Sequence, residues 1–178
     1  MHRAVAAAVG ASQGARALLH LDFLGDVQVR ADGMARDLPR SRKTRALLAY
    51  LAVTGRPHRR DRLCTMFWDV PDDPRGALRW SLSKLRAIAD EPGRTRIHAD
   101  RATVAFDPSH TAIDVLELRR RVGAGLDGLS ADQLASTAAA FRGEFLEGLD
   151  LDSCPEFQAW CLAERQEQGA GLDQGALE

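Results

Sequence analysis

Hydrophobic and polar positions follow two rhythms along this chain. From residue 18 to residue 31 the period is two. Leu19, Leu21 and Phe23 share one face of an extended run, Val27 and Val29 share one face of a second, and Gly25-Asp26 separates them. Asp32-Gly33 is a turn pair, and a third short strand is expected near Ala35–Leu38. From residue 42 the period lengthens to that of a helix. Ser41 is a natural N-cap for Arg42–Thr54, Leu47, Leu48 and Leu51 supply its core stripe, and Gly55 is its stop with Pro57 just beyond. A second helix is expected over His58–Trp68, where Leu63, Met66 and Phe67 recur at i, i+3 and i+4. Asp69–Asp73 is a connector holding Pro71, and Pro74 opens a third helix over Pro74–Asp90.

The third helix divides into two chemically different faces. At 100° per residue Leu78, Leu82, Leu85 and Ala89 form one apolar stripe. Trp80, Ser83, Lys84 and Ala87 lie opposite, with Arg79 beside them and Arg75 and Arg86 nearer the flank. Glu91-Pro92-Gly93 ends the helix. The β-like runs Thr95–His98 and Thr103–Phe106 then read as a hairpin carrying Arg94, Arg96 and Arg101. A small antiparallel sheet, three helices and a basic hairpin, in that order, describe an α+β winged helix-turn-helix. In such a fold the third helix enters the major groove and the hairpin touches an adjacent backbone or minor groove.

Composition sharpens this picture through its distribution rather than its average. The 178 residues are 45% hydrophobic and 28% charged, with a net charge of −1, an ordinary globular balance with chain enough for a core. Residues 1–101 hold 19 Lys and Arg against 11 Asp and Glu, a net of +8; residues 102–178 hold 5 against 14, a net of −9. The basic part favours a polyanion through phosphate contacts and counterion release. The acidic part is suited to protein contacts. Arg40, Arg42, Lys43 and Arg45 crowd the first turns of the first helix, where the backbone dipole prefers anions. Either phosphates come there or the run is simply solvated.

Residues 1–17 are Ala- and Gly-rich, with an apolar run broken by Gly10, and are expected to be a flexible tail rather than a leader. No apolar run approaches the ~20 residues of a membrane span. Cys64, Cys154 and Cys161 are too few and too scattered for a disulfide scaffold or a zinc site, and no metal or other cofactor is expected. No phosphate-binding loop, dinucleotide fingerprint, zincin motif or nucleophile elbow is present, and the five histidines are dispersed, so no catalytic residue can be assigned and the chain is not expected to be an enzyme.

The segments FLGDVQVRADG, LPRSRKTRALLAYLAVTGRPHRRDRLCTMFWDV and PRGALRWSLSKLRAIAD together resemble the OmpR-type winged helix of the SARP-type (antibiotic regulatory protein) bacterial transcriptional activators, over residues 18–107. Arg45-Ala46-Leu47-Leu48, Arg60-Asp61-Arg62-Leu63, Phe67-Trp68 and Leu82-Ser83-Lys84-Leu85-Arg86 stand where that family repeats its short motifs. The resemblance implies that residues 108–178 begin an all-α, TPR-like bacterial transcriptional activator domain, incomplete here. Helices over Ile113–Gly123 and Ser130–Phe141 would be followed by a third on which Phe157, Trp160 and Cys161 share a face. Read without the family, these are amphipathic helices with acidic outer faces.

The expected function is a cytoplasmic, sequence-specific DNA-binding regulator. Arg79, Ser83 and Lys84 would read bases; Arg75, Arg86, Arg42, Lys43 and Arg45 would hold phosphates; Arg96 or Arg101 would add a contact from the wing. Trp80 stands where the family usually carries a smaller aliphatic residue. It either faces DNA or packs against the hairpin. Double-stranded DNA is the first partner expected, with RNA polymerase and a second copy of the chain as protein partners and no membrane contact. The competing reading is a protein-docking module whose basic face is solvated.

Overall fold

The computed structural model describes residues 18–68, 73–123 and 142–175. The tail 1–17, most of the 69–73 connector and the expected helix over Ser130–Phe141 fall outside them. Seven strands and five helices are described: β1 Leu19–Asp22, β2 Gln28–Ala31, β3 Met34–Ala35, α1 Arg42–Thr54, β4 His58–Arg59, α2 Arg60–Phe67, α3 Pro74–Ala89, β5 Ile97–Ala99, β6 Thr103–Phe106, β7 Thr111–Ile113, α4 Asp114–Gly123 and α5 Pro155–Gly175.

The first sheet runs in the order β3-β2-β1-β7. Its hairpin turns at Asp32-Gly33, both with positive φ (52° and 76°), the conformation that matches the right-handed strand twist. The third strand begins at Met34, one residue before the expected run. The sheet is mixed, not the wholly antiparallel one that the sequence predicts. β7 lies parallel to β1, Leu19 opposite Thr111 and Leu21 opposite Ile113. Thr111–Ile113, assigned from sequence to the helical part, is thus a strand of this sheet, and α4 starts only at Asp114. The Asp114 carboxylate fixes the join: Oδ1 accepts from the Phe23 amide at 2.8 Å and Oδ2 from that of Leu24 at 2.9 Å. Burial pushes its pKa above the usual carboxylate range, against the pull of these amide donors.

α1 begins and ends as its sequence dictates. Ser41 Oγ accepts from the Thr44 amide at 3.2 Å, and Gly55 takes the left-handed conformation at φ 60°. Its burial exceeds the expected leucine stripe, because every residue from Ala46 to Val53 is buried. It is the central helix of the molecule. The second helix is shorter than His58–Trp68. His58 and Arg59 form β4, paired with β6 through His58–Val104 and Arg59–Thr103, so α2 starts at Arg60. The winning interaction is a strand pairing across some 45 residues that local periodicity cannot register. The second sheet then has the order β4-β6-β5.

α5 closes the structure from the other side. Trp160 meets Tyr50 of α1 edge-on at 5.0 Å, and Phe157 meets Phe67 of α2 at 5.3 Å. Phe145 lies 5.4 Å from Trp160 and bridges to Leu24. Phe157, Trp160 and Cys161 share the inward face as the spacing predicts, with Phe157 fully buried and Trp160 partly so. Arg119 of α4 pairs with Glu164 of α5. Among the described residues no helix is long and apolar enough to cross a membrane.

Candidate nucleic-acid interface

α3 owes its position to its two ends and its stripe. Asp73 caps it, Oδ1 accepting from the Gly76 amide at 2.8 Å, with Pro74 in the first turn. Gly76 lets the Asp73 carboxylate come close, and a Cβ there, 2.3 Å from Asp73 Oδ2, would make that side chain shift. Leu78, Leu82, Leu85 and Ala89 are buried, and Ser81 joins them by bonding to Thr44 of α1 (Oγ to Oγ1, 2.9 Å). That buried pair sets the basic first turn of α1 beside α3.

The outer face of α3 is open. Arg75, Arg79, Trp80, Ser83, Lys84 and Arg86 are all exposed. Trp80 keeps half its surface accessible, with the Lys84 ammonium 5.4 Å from its ring centroid, a cation–π pair one turn apart. α5 packs on α1 and α2, so among the described residues none covers this face. Arg75 pairs with Asp61 at 3.0 Å and Arg79 with Asp73 at 3.6 Å. All four side chains are more than half exposed, so these pairs are weak and easily exchanged for another anion.

Between α3, the start of α2 and the tip of the hairpin lies an open cleft of about 700 Å³. Arg59, Arg60, Arg75, Arg79 and Arg101 line it, with Asp61 and Asp100. The hairpin tip is held rigidly. Asp100 Oδ1 accepts from the amides of Ala102 (2.7 Å) and Thr103 (2.6 Å), and these bonds hold its carboxyl below the usual range. Arg60 ties the tip to α2, its Nε donating to the Asp100 carbonyl at 2.8 Å. Behind the cleft, His58 is buried against Tyr50, ring centroids 4.6 Å apart. Its Nε2 lies 2.6 Å from Thr54 Oγ1, whose proton is committed to the Tyr50 carbonyl. His58 is therefore the donor in that contact. Burial, with Arg56 nearby, lowers its pKa to about 4 and keeps the ring neutral.

The remaining expected site residues divide. Arg42 is exposed, and its Nη2 donates to the Gly148 carbonyl at 2.9 Å. Lys43 and Arg45 are half-buried, and Arg45 donates to the Arg40 carbonyl at 3.1 Å. Arg86 reaches the Ile97 carbonyl at 3.4 Å. Arg96 does not stand on the wing surface: it is completely buried, with Nη1 2.6 Å from the Ala89 carbonyl and 3.3 Å from Glu91 Oε1. A contact from Arg96 to an external phosphate is thus ruled out in this arrangement, and of the two wing residues expected Arg101 is the exposed one. Arg59 and Arg60 also line the cleft, beyond the site residues that the sequence predicts. Their signal was present in the run His58–Arg62, but only the pairing of β4 with the hairpin brings them to the cleft. No group of three or more His, Cys, Asp or Glu that could hold a metal comes together among the described residues.

The fold is similar to that of EmbR of Mycobacterium tuberculosis, solved in complex with a low affinity phosphopeptide. The likeness covers 90% of this chain with a TM-score of 0.65 and 22% sequence identity. The chain spans 45% of the length of that EmbR chain. The arrangement of small sheets and helices is thus one that this chain shares with the matched part of EmbR. No protein-family model matches the sequence, and no curated protein matches it.

Proposed function

We propose that the chain is a sequence-specific transcriptional regulator that binds double-stranded DNA, with α3 in the major groove. Arg79, Ser83 and Lys84 read base edges there, with Trp80 against an apolar base surface. Arg75, Arg86 and the basic start of α1 hold phosphates, and Arg101 adds a contact from the wing. Residues 18–107 are the DNA-binding part, and the helical part begins a TPR-like activator region that contacts RNA polymerase or a second copy. The observation that carries this reading is the cleft: five arginines from α3, the start of α2 and the hairpin tip converge beside an uncovered helix face. Likeness of fold to EmbR supports it.

The test is selection of duplexes from a random pool, followed by anisotropy of the selected site. With about five phosphate contacts, affinity should fall ~10²–10³-fold as salt rises from about 50 to about 200 mM. A chain that binds no duplex at the lower salt would favour the protein-docking reading instead.

A further inference from the structure

Among the described residues Arg96 is the largest side chain completely withdrawn from solvent, and the proposed DNA contacts do not use it. It sits at the root of the wing, and its bonds run in three directions. Nη1 donates at 2.6 Å to the carbonyl of Ala89, at the end of α3. Carbonyls there lack helical partners, and the dipole favours a cation. The same nitrogen lies 3.3 Å from the Glu91 carboxylate. Nη2 reaches to 3.5 Å of the His110 carbonyl, which also accepts the Leu19 amide of β1 at 3.2 Å.

The backbone of Arg96 repeats the pattern. Its amide and that of Ile97 both donate to Asp90 Oδ1, the residue after α3, at 2.7 and 3.0 Å. Its carbonyl accepts from the Asp107 amide at 2.8 Å and so closes the base of the hairpin. An apolar side chain of similar volume would fill this space without the cost of desolvating a guanidinium. What an apolar residue cannot do is hold the end of α3, the wing root and the entry to β7 at fixed mutual distances.

We infer that Arg96 is a positioning residue that locks the angle of the wing to α3, so that Arg101 and Arg79 face one ligand across the cleft. The part of this inference that concerns DNA rests on the regulator reading. The lock itself does not.

Two measurements on the full chain separate them. In Arg96→Lys the charge stays but the fork that spans two carbonyls is lost. Amides of β5 and β6 should then exchange with deuterium about tenfold faster, while those of Ala46–Val53 stay at the wild-type rate. Duplex affinity should fall about tenfold, and adding Arg101→Ala should cost nothing further, whereas Arg101→Ala in the wild-type background does cost affinity. Unchanged exchange in β5 and β6, or an equal rise in α1, would overturn the lock. Full additivity of the two substitutions would overturn its role in aiming Arg101. If the wild-type chain binds no duplex, the regulator reading falls and the exchange comparison decides the lock.

Discussion

Two seams meet along α2, and they are built from opposite materials. On one side α2 opens the arginine cleft through Arg60, with Arg59 of β4 just before it; on the other, Phe67 enters the aromatic seam with Phe157, Trp160 and Tyr50. In the cleft Arg75 and Arg79 are 73% and 67% exposed and hold exchangeable partners. In the seam Phe67 and Phe157 are wholly buried. Rings packed at these distances contribute through lost water contact and dispersion, which change little over the moderate salt range that screens exposed charges. Arginines on an open face contribute little to folding and retain their capacity for an anion. Stability and binding should therefore be separable, because each is invested in a different side of the same short helix.

The largest way to break this separation is Phe157→Ala. It should cost ~3–5 kcal/mol in urea unfolding while leaving the duplex affinity of the folded fraction unchanged. A loss of affinity beyond the folded fraction would mean that the seam also shapes the cleft.

Next in size is pH. His58 joins the two regions, since β4 pairs with the wing while the ring packs, tilted, against Tyr50 of the seam. Its folded pKa of about 4 lies below the unfolded value of 6.5. The unfolded chain therefore takes up the proton first. Stability from the neutral ring is complete above pH 6.5 and lost as pH falls toward 4, by roughly 2–3 kcal/mol. Buried Asp114 acts in the opposite sense, because its pKa is raised. The clean readout is the difference between wild type and His58→Gln, which should flatten the loss.

Arg79→Ala should cost duplex binding ~1–3 kcal/mol and relax base preference, with stability changed by under about 0.5 kcal/mol. Arg75→Ala should weaken all sequences alike and lower the salt slope by about one. The smallest effect is a gain. Asp61→Asn and Asp73→Asn remove the carboxylates that occupy Arg75 and Arg79, and each should tighten duplex binding by under about 1 kcal/mol. Asn at position 73 can still cap α3 through its amide oxygen, so stability should hold.

What the sequence disclosed follows the range of the interactions concerned. The Asp32-Gly33 turn, the Ser41 and Gly55 caps and the stripe of α3 are decided within a few residues, and all stand in the structure as read. The exposure of Arg79, Ser83 and Lys84 follows from the same periodicity. Features set by distant partners escaped. β4 exists because β6 accepts it, and Arg96 is buried because the end of α3 offers it a carbonyl; an arginine in a short hairpin otherwise reads as surface. The all-round burial of α1 required knowing that Trp160, more than a hundred residues later, covers Tyr50. Ala46, Ala49 and Ala52 were the available hint, since small residues let neighbours approach a helix from several sides.

The parallel pairing of β7 with β1 has a temporal side. A nascent chain leaving the ribosome can form the β1–β2 hairpin early, but one edge of β1 stays unsatisfied until Ile113 has emerged. Phe23 and Leu24 likewise wait for the carboxylate of Asp114. A fragment cut at residue 107, where the wing ends, would carry that raw edge permanently and should self-associate through it. Extending the fragment to residue 123 would supply both missing partners, making it the shorter piece worth expressing.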